Sequence, residues 1–207
     1  MTDRPRVFTL GHSNRPIERF LDLAQRHGIE RIVDVRSVPY SRFNPQFKRA
    51  ALEASLRSAG IAYEFLGEQL GARPADPALC EEGRVSYAKL AATPGFQQGL
   101  SRVIEQFARE RLALMCAERD PLDCHRTILV ARELHRAGIP VVHILADGSL
   151  EEHERTMERL VQRLGIEGPD LFQDPGRMAE LACDLQARRI ARPQPTTDSG
   201  ANQSPSR

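Results

Sequence analysis

The stretch Cys116-Ala117-Glu118-Arg119-Asp120-Pro121-Leu122-Asp123-Cys124-His125-Arg126 gathers two thiols, carboxylates, an imidazole and guanidinium groups within eleven residues. Thiolate, not thiol, is the nucleophile, so such chemistry needs a nearby base or an electropositive setting that favours ionisation. Asp123 suits the cap of a helix that His125 begins, and its charge suits the positive end of that helix. The free N–H groups of the same helix start, with Arg126 beside them, suit an anion. A thiol there is expected to ionise more readily than usual. The catalytic candidates are therefore Cys116, Cys124, His125 and Glu118. Each has a plain alternative: a cysteine at a buried strand end is a small hydrophobe, and a histidine or carboxylate can simply cap or pair.

These residues need a frame. Val7 to Leu10 is a short apolar strand that stops at Gly11-His12-Ser13-Asn14, and Pro16 opens a helix that Gly28 ends. Arg31 to Val35 predicts a second strand, followed by an irregular loop through Pro39 and Pro45. A helix over Lys48–Ala59 is closed by Gly60, and Ile61–Phe65 is a third strand. Residues 66–86 have little periodicity, and a loop this long in a compact domain is usually functional or mobile. A helix over Phe96–Arg109, a strand over Leu112–Cys116, a helix over His125–Ala137 and a strand over Val141–Leu145 follow. Helices over Leu150–Leu164 and Arg177–Ile190 complete the pattern. Strands alternating with helices imply an α/β fold: one domain, a mostly parallel central sheet of about five strands, helices on both faces and extra C-terminal helices. The domain is expected over residues 1–191, with its core at about 7–153 and a helical extension over 150–191. Residues 192–207, polar and rich in Pro and Ser, are expected to be a disordered tail.

In such a sheet, ligands bind beyond the carboxyl ends of the strands. The polar residues of this chain converge there: His12 and Ser13 after the first strand, Asp34 and Arg36 closing the second, and Cys116 and Glu118 closing the fourth. His143 sits within the fifth strand, with Asp147 just past it. An apolar run around His143 favours a core histidine, and Asp34 with Arg36 can pair with one another. Cys80 and Cys183 receive no chemistry.

At 207 residues the chain can bury a core without disulfides or metal. The formal net charge of +1 argues against extended DNA binding. Only Lys48 and Lys89 among 29 basic residues are lysines, which reflects either codon usage or anion recognition by guanidinium groups. No apolar run approaches the ~20 residues that a membrane helix requires. The acidic and Pro residues of MTDRPRVFTL oppose an export signal, so the protein is expected in the cytoplasm with reduced thiols. A homodimer is compatible with the chain, but nothing in it demands one.

Thr9-Leu10-Gly11-His12-Ser13, Asp34-Val35-Arg36 with Pro39-Tyr40-Ser41, Gly60-Ile61-Ala62-Tyr63, and Leu114-Met115-Cys116-Ala117-Glu118 leading to Cys124-His125-Arg126 resemble the domain-of-unknown-function family numbered 488. The resemblance runs from about Val7 to about His153. It departs at Leu70-Gly71-Ala72, where a second Gly is expected in place of Ala72. It implies a fold and a motif cluster but no established reaction. Its motif residues map onto the four catalytic candidates and onto substrate-binding candidates His12, Ser13, Asp34, Arg36, Ser41 and Arg126. The layout is also similar to rhodanese-type sulfurtransferases, although nine residues between Cys116 and Arg126 make a longer loop.

Three functional classes follow. In a thiol-dependent enzyme, Cys116 or Cys124 attacks, His125 or His12 supports proton transfer, and Arg36 and Arg126 hold a small anionic substrate. In a metal site, Cys116, Cys124 and either His12 or His143 bind zinc, although the seven residues between the cysteines exceed the usual spacing. In a binding module, the Arg and His residues grip a nucleotide or a nucleic-acid end. No residue pattern names a cofactor.

Overall fold

A computed structural model describes residues 5–166 and 174–193. Its elements in chain order begin with β1 (Val7–Gly11), α1 (Ile17–Arg26), β2 (Arg31–Asp34), α2 (Arg49–Ser58) and β3 (Ala62–Phe65). There follow α3 (Gly67–Leu70), β4 (Cys80–Glu81), β5 (Arg84–Val85), α4 (Tyr87–Ala91), α5 (Pro94–Phe107) and β6 (Leu112–Cys116). A π-helical segment, Arg126–Ala131, runs into α6 (Arg132–Arg136), and β7 (Val141–Ile144), β8 (Leu150–Glu152), α7 (His153–Leu164) and α8 (Pro175–Ile190) complete the chain.

The fold is α/β, with a six-stranded sheet in the order β3-β2-β6-β1-β7-β8. Its first five strands in that order are parallel, and β8 adds an antiparallel edge to β7. The five expected strands are thus present. The sixth corrects the helix expected from Leu150: Leu150–Glu152 pairs with β7, and the helix begins at His153. The long 66–86 segment is not structureless either, since it holds α3 and the hairpin β4-β5. Pro193, expected within the tail, bridges to Arg84. Residues 194–207 lie outside the described residues.

Alternation along the strands sorts the core into two layers. Phe8, Leu10, Ile32, Ala113, Met115, Val142 and Ile144 face α1 and α2 through Phe20, Leu23, Leu52 and Leu56. Val7, Val33, Leu112, Leu114, Cys116 and Val141 pack on the other side with α4, α5, α6, α7 and α8. The connections β1→β2 and β2→β3 move one way along the sheet and carry their helices on the first face. The connections β3→β6 and β6→β7 move the opposite way and carry theirs on the second. One handedness of crossover requires this switch of face. The loops after β1 and β2 therefore leave on the opposite side from the loop after β6, which lies between them. A crevice opens at such a reversal, beyond the carboxyl end of β6.

The register brings Gly11 beside Cys116 and Asp34 beside Met115. Pairing continues past the strands: His12 N–H donates to Cys116 O at 2.9 Å and Ser13 N–H to Ala117 O at 2.8 Å. Ser13 takes a positive φ of 51°, a conformation uncommon outside glycine, to turn the chain toward α1. A Cβ on Gly11 would stand 2.0 Å from Glu118 O, so only glycine lets the first strand approach the site loop this closely.

Candidate active site

Cys116, at the end of β6, is 3% exposed. Its Sγ lies 3.0 Å from Glu118 Oε2 and 3.6 Å from His125 Nδ1. Cys124 Sγ donates to the same Glu118 oxygen at 3.0 Å. His125 Nε2 is 2.8 Å from Val35 O, and a carbonyl only accepts, so Nε2 carries a proton and Nδ1 is the nitrogen that faces the thiol. The four catalytic candidates thus form one cluster.

Burial pushes the Cys116 thiol well above its ordinary pKa, reinforced by the hydrogen bond with Cys124 and the charges of Cys124 and Glu118. Burial also acts to raise Cys124. The Cys116 hydrogen bond, the Arg126 charge and His125 outweigh it and carry Cys124 well below the ordinary thiol range. Glu118 is raised, by burial first and then by Cys124. His125 is raised despite burial, because Cys124 and the Val35 carbonyl favour its charged form. Two thiols around one carboxylate cannot all be ionised in so small a buried volume, so the cluster stores a proton.

A cavity of about 390 Å³ opens beyond these strand ends. Of the candidates, His12, Ser13, Arg36, Ser41, Cys116, Glu118 and His125 line it. Cys124 and Arg126 lie behind the wall. A second cavity of about 430 Å³ between α7 and α8 is mostly apolar and holds none of the candidates.

The substrate-binding candidates divide by geometry. Asp34 is fully buried, and its carboxylate accepts Arg36 Nε at 2.9 Å, Arg36 Nη2 at 2.7 Å and Tyr63 Oη at 2.9 Å. Arg36 Nη1 also donates to Phe47 O at 2.9 Å and meets His12 Nε2 at 3.2 Å. His12 Nδ1 is 2.6 Å from Ser13 O, and the ring stacks on Phe47 at 4.2 Å between centroids. Both His12 nitrogens are therefore engaged, and burial lowers its pKa to about 4. Asp34, Arg36 and His12 form a buried brace under the cavity. Ser41 Oγ accepts Asn44 N–H at 3.0 Å and shapes the loop over the cavity, while Ser13 Oγ reaches Asn14 Oδ1 at 3.3 Å.

Arg126 is 0% exposed. Its guanidinium donates to Glu118 O at 2.7 Å and Arg119 O at 3.4 Å, holding the loop that carries Glu118. The expected cap is also displaced. Asp123 caps no helix here; Asp120 accepts Leu122 N–H at 2.9 Å, and Asp123 pairs with Arg163 at 2.8 Å. The helix start is occupied from within, since Cys124 O accepts Thr127 N–H and Ile128 N–H, both at 3.1 Å. Buried Arg126 and these internal bonds leave that start no open face for an anion.

The expected metal set needs a different histidine. His143 bonds Thr9 Oγ1 at 2.8 Å and His153 Nδ1 at 3.1 Å inside the core, and His12 belongs to the brace. His125 stands with the cysteines instead, and the ligand atoms of Cys116, Cys124 and His125 all lie within 4.8 Å of one another.

Asn14, Ser37, Tyr40, Arg73, Tyr87 and Arg192 also line the cavity and were not candidates from sequence. Arg73 lies in the aperiodic 66–86 segment and Arg192 is the first residue of the stretch expected to be a tail. Only the long-loop signal pointed toward the first, and none toward the second.

Among the described residues no helix is long and apolar enough to cross a membrane. No curated protein and no solved structure matches the chain. The rhodanese-type likeness is therefore not borne out, and the buried helix start behind Cys124 offers none of the compact anion loop that it implied. A family model described as Domain of unknown function DUF488 matches residues 16–132, which take in the second-strand motif and the whole Cys116-to-Arg126 stretch. The chain belongs to the DUF488 family.

Proposed function

We propose that this protein is a thiol-dependent enzyme acting on a small anionic substrate, with Cys116 as the nucleophile. The observation that supports it best is the position of Cys116 Sγ. It lines the cavity and stands 3.6 Å from His125 Nδ1, while the other nitrogen of that ring is held on Val35 O. A nucleophile, a base and a group that orients the base is the arrangement nucleophilic catalysis uses. Cys116 rests as a thiol. On attack its Sγ–H bond breaks, the proton passes to Glu118, Cys124 or His125, and Sγ bonds to the electrophilic atom of the substrate. Cys124, behind the wall, acts as a charge store rather than as the attacking group.

Site-resolved alkylation of the native protein, read by peptide mass spectrometry across pH, tests this. Because Cys116 rests as a thiol, its rate is expected to climb late, with a midpoint above the ordinary thiol range, and at its plateau to overtake half-buried Cys80, while Cys124 stays slow. Cys116 lagging behind Cys80 at every pH would sink the proposal.

One observation favours a second reading, a zinc site of Cys116, Cys124 and His125. Tetrahedral zinc with ordinary bond lengths places sulfur and nitrogen ligands about 3.6 Å apart, and the Cys116–His125 separation is 3.6 Å. A ligating histidine also usually donates its second N–H to a carbonyl, as His125 does to Val35. Stoichiometric zinc in the purified protein, with alkylation of Cys116 appearing only after chelation, would replace the nucleophile reading with this one.

A further inference from the structure

We infer that Arg73 and Arg192 form an anion subsite at the mouth of the cavity, built for the phosphoryl group of the substrate, with Arg192 supplied by the C-terminal stretch outside the family span. This deepens the reading of the cavity as an active site and rests on it, but not on Cys116 being reactive.

Both arginines line the cavity. Of the three arginines that line it, Arg36 is bound to Asp34 and Phe47 O. The side chains of Arg73 and Arg192 make no hydrogen bond or ion pair among the described residues. The carboxylates on the same wall are taken: Glu118 receives both thiols, and Asp123 pairs with Arg163. Two like charges therefore face one space with no carboxylate bonded to either, and the ionisation of Arg73 is depressed, first by partial burial and then by Arg192. Cys116 and Glu118 line the same cavity, so an anion held by the arginines shares that space with the thiol.

The backbone that carries Arg192 is fixed. Arg84 Nη1 donates to Ala191 O at 3.0 Å, Val85 N–H to Arg192 O at 3.4 Å, and Arg84 bridges to Pro193. Those ties run to the hairpin that follows Arg73, so one small structure holds both arginines. A planar guanidinium presents paired N–H groups that fit phosphoryl oxygens, and two of them match a dianion.

The test is calorimetric titration of the full chain with inorganic phosphate and with pyrophosphate. Wild-type protein and Cys116→Ser should each bind at one saturable site. Arg73→Gln and Arg192→Gln should each weaken binding about tenfold or more. Both arginines are exposed, so the variants should keep the wild-type melting temperature, which is measured alongside. No saturable binding by the wild type, or equal affinity in Arg73→Gln/Arg192→Gln, overturns the subsite. Slow alkylation of Cys116 would end the thiol proposal and leave this result standing, so the two fail separately.

Discussion

Glu118 Oε2 stands 3.0 Å from two sulfurs at once, and this single atom governs how the site titrates. Replacing Glu118 with Gln removes a negative charge beside Cys116 and puts a weaker, neutral acceptor where the carboxylate stood. Both changes favour thiolate, so the alkylation midpoint of Cys116 should move down by about one pH unit. An upward shift would show that Glu118 assists ionisation instead. The same variant carries a stability signature. The Glu118 pKa is raised in the folded state, so its contribution is complete below the unfolded value and is lost as pH rises through the folded one. Glu118→Gln should therefore gain stability over wild type as pH climbs above about 4.5, seen as a melting-temperature difference that widens toward neutral pH. At this scale the residue types with reactive side chains were legible from sequence. The pairing of Asp34 with Arg36 was legible as an alternative, but the brace that adds His12 was not, because it depends on Phe47 and Tyr63, partners supplied by other segments whose approach only the fold determines.

The segment from Cys124 to Arg136 shows what an element adds. Its first turns are π-helical, which places Arg126 inward under Glu118 and leaves Thr127 buried. Thr127 Oγ1 has no hydrogen-bond partner among the described residues. A Val of the same shape removes an unsatisfied hydroxyl, so Thr127→Val should leave stability unchanged or raise it by about 1 kcal/mol. A loss of that size in chemical denaturation would mean that the hydroxyl is bonded. Apolar runs such as Leu112–Met115 made the parallel strands legible, with boundaries shifted by a residue or two. Widening from α to π leaves no comparable mark, since it preserves the apolar spacing over so few turns. Leu150-Glu151-Glu152 is too short and too acidic to announce a strand, and becomes one because β7 offers it an open edge.

For the molecule as a whole, the order β3-β2-β6-β1-β7 decides where function sits, and alternation of strands and helices implied the layers without implying that order. Burial of histidines across these layers also sets acid stability. His12 falls from 6.5 to about 4 and His153 from 6.5 to about 3, both chiefly through burial. A histidine with a depressed folded pKa contributes stability above its unfolded pKa and loses it as pH falls toward the folded one. His12 alone should account for about 3 kcal/mol lost between about pH 6.5 and pH 4. His12→Gln should be less stable than wild type at neutral pH, since Arg36 loses its ring partner, yet should decline less across that window. Urea midpoints at the two ends check this, and parallel declines would count against it. The tie between Arg84 and residues 191–193 has a practical side. A dye attached at Pro193 sets out from the rim of the cavity, whereas one attached just before Val7 sets out from the far end of β1. The first would thus compete with or report on ligand entry, and the second would leave the entrance clear.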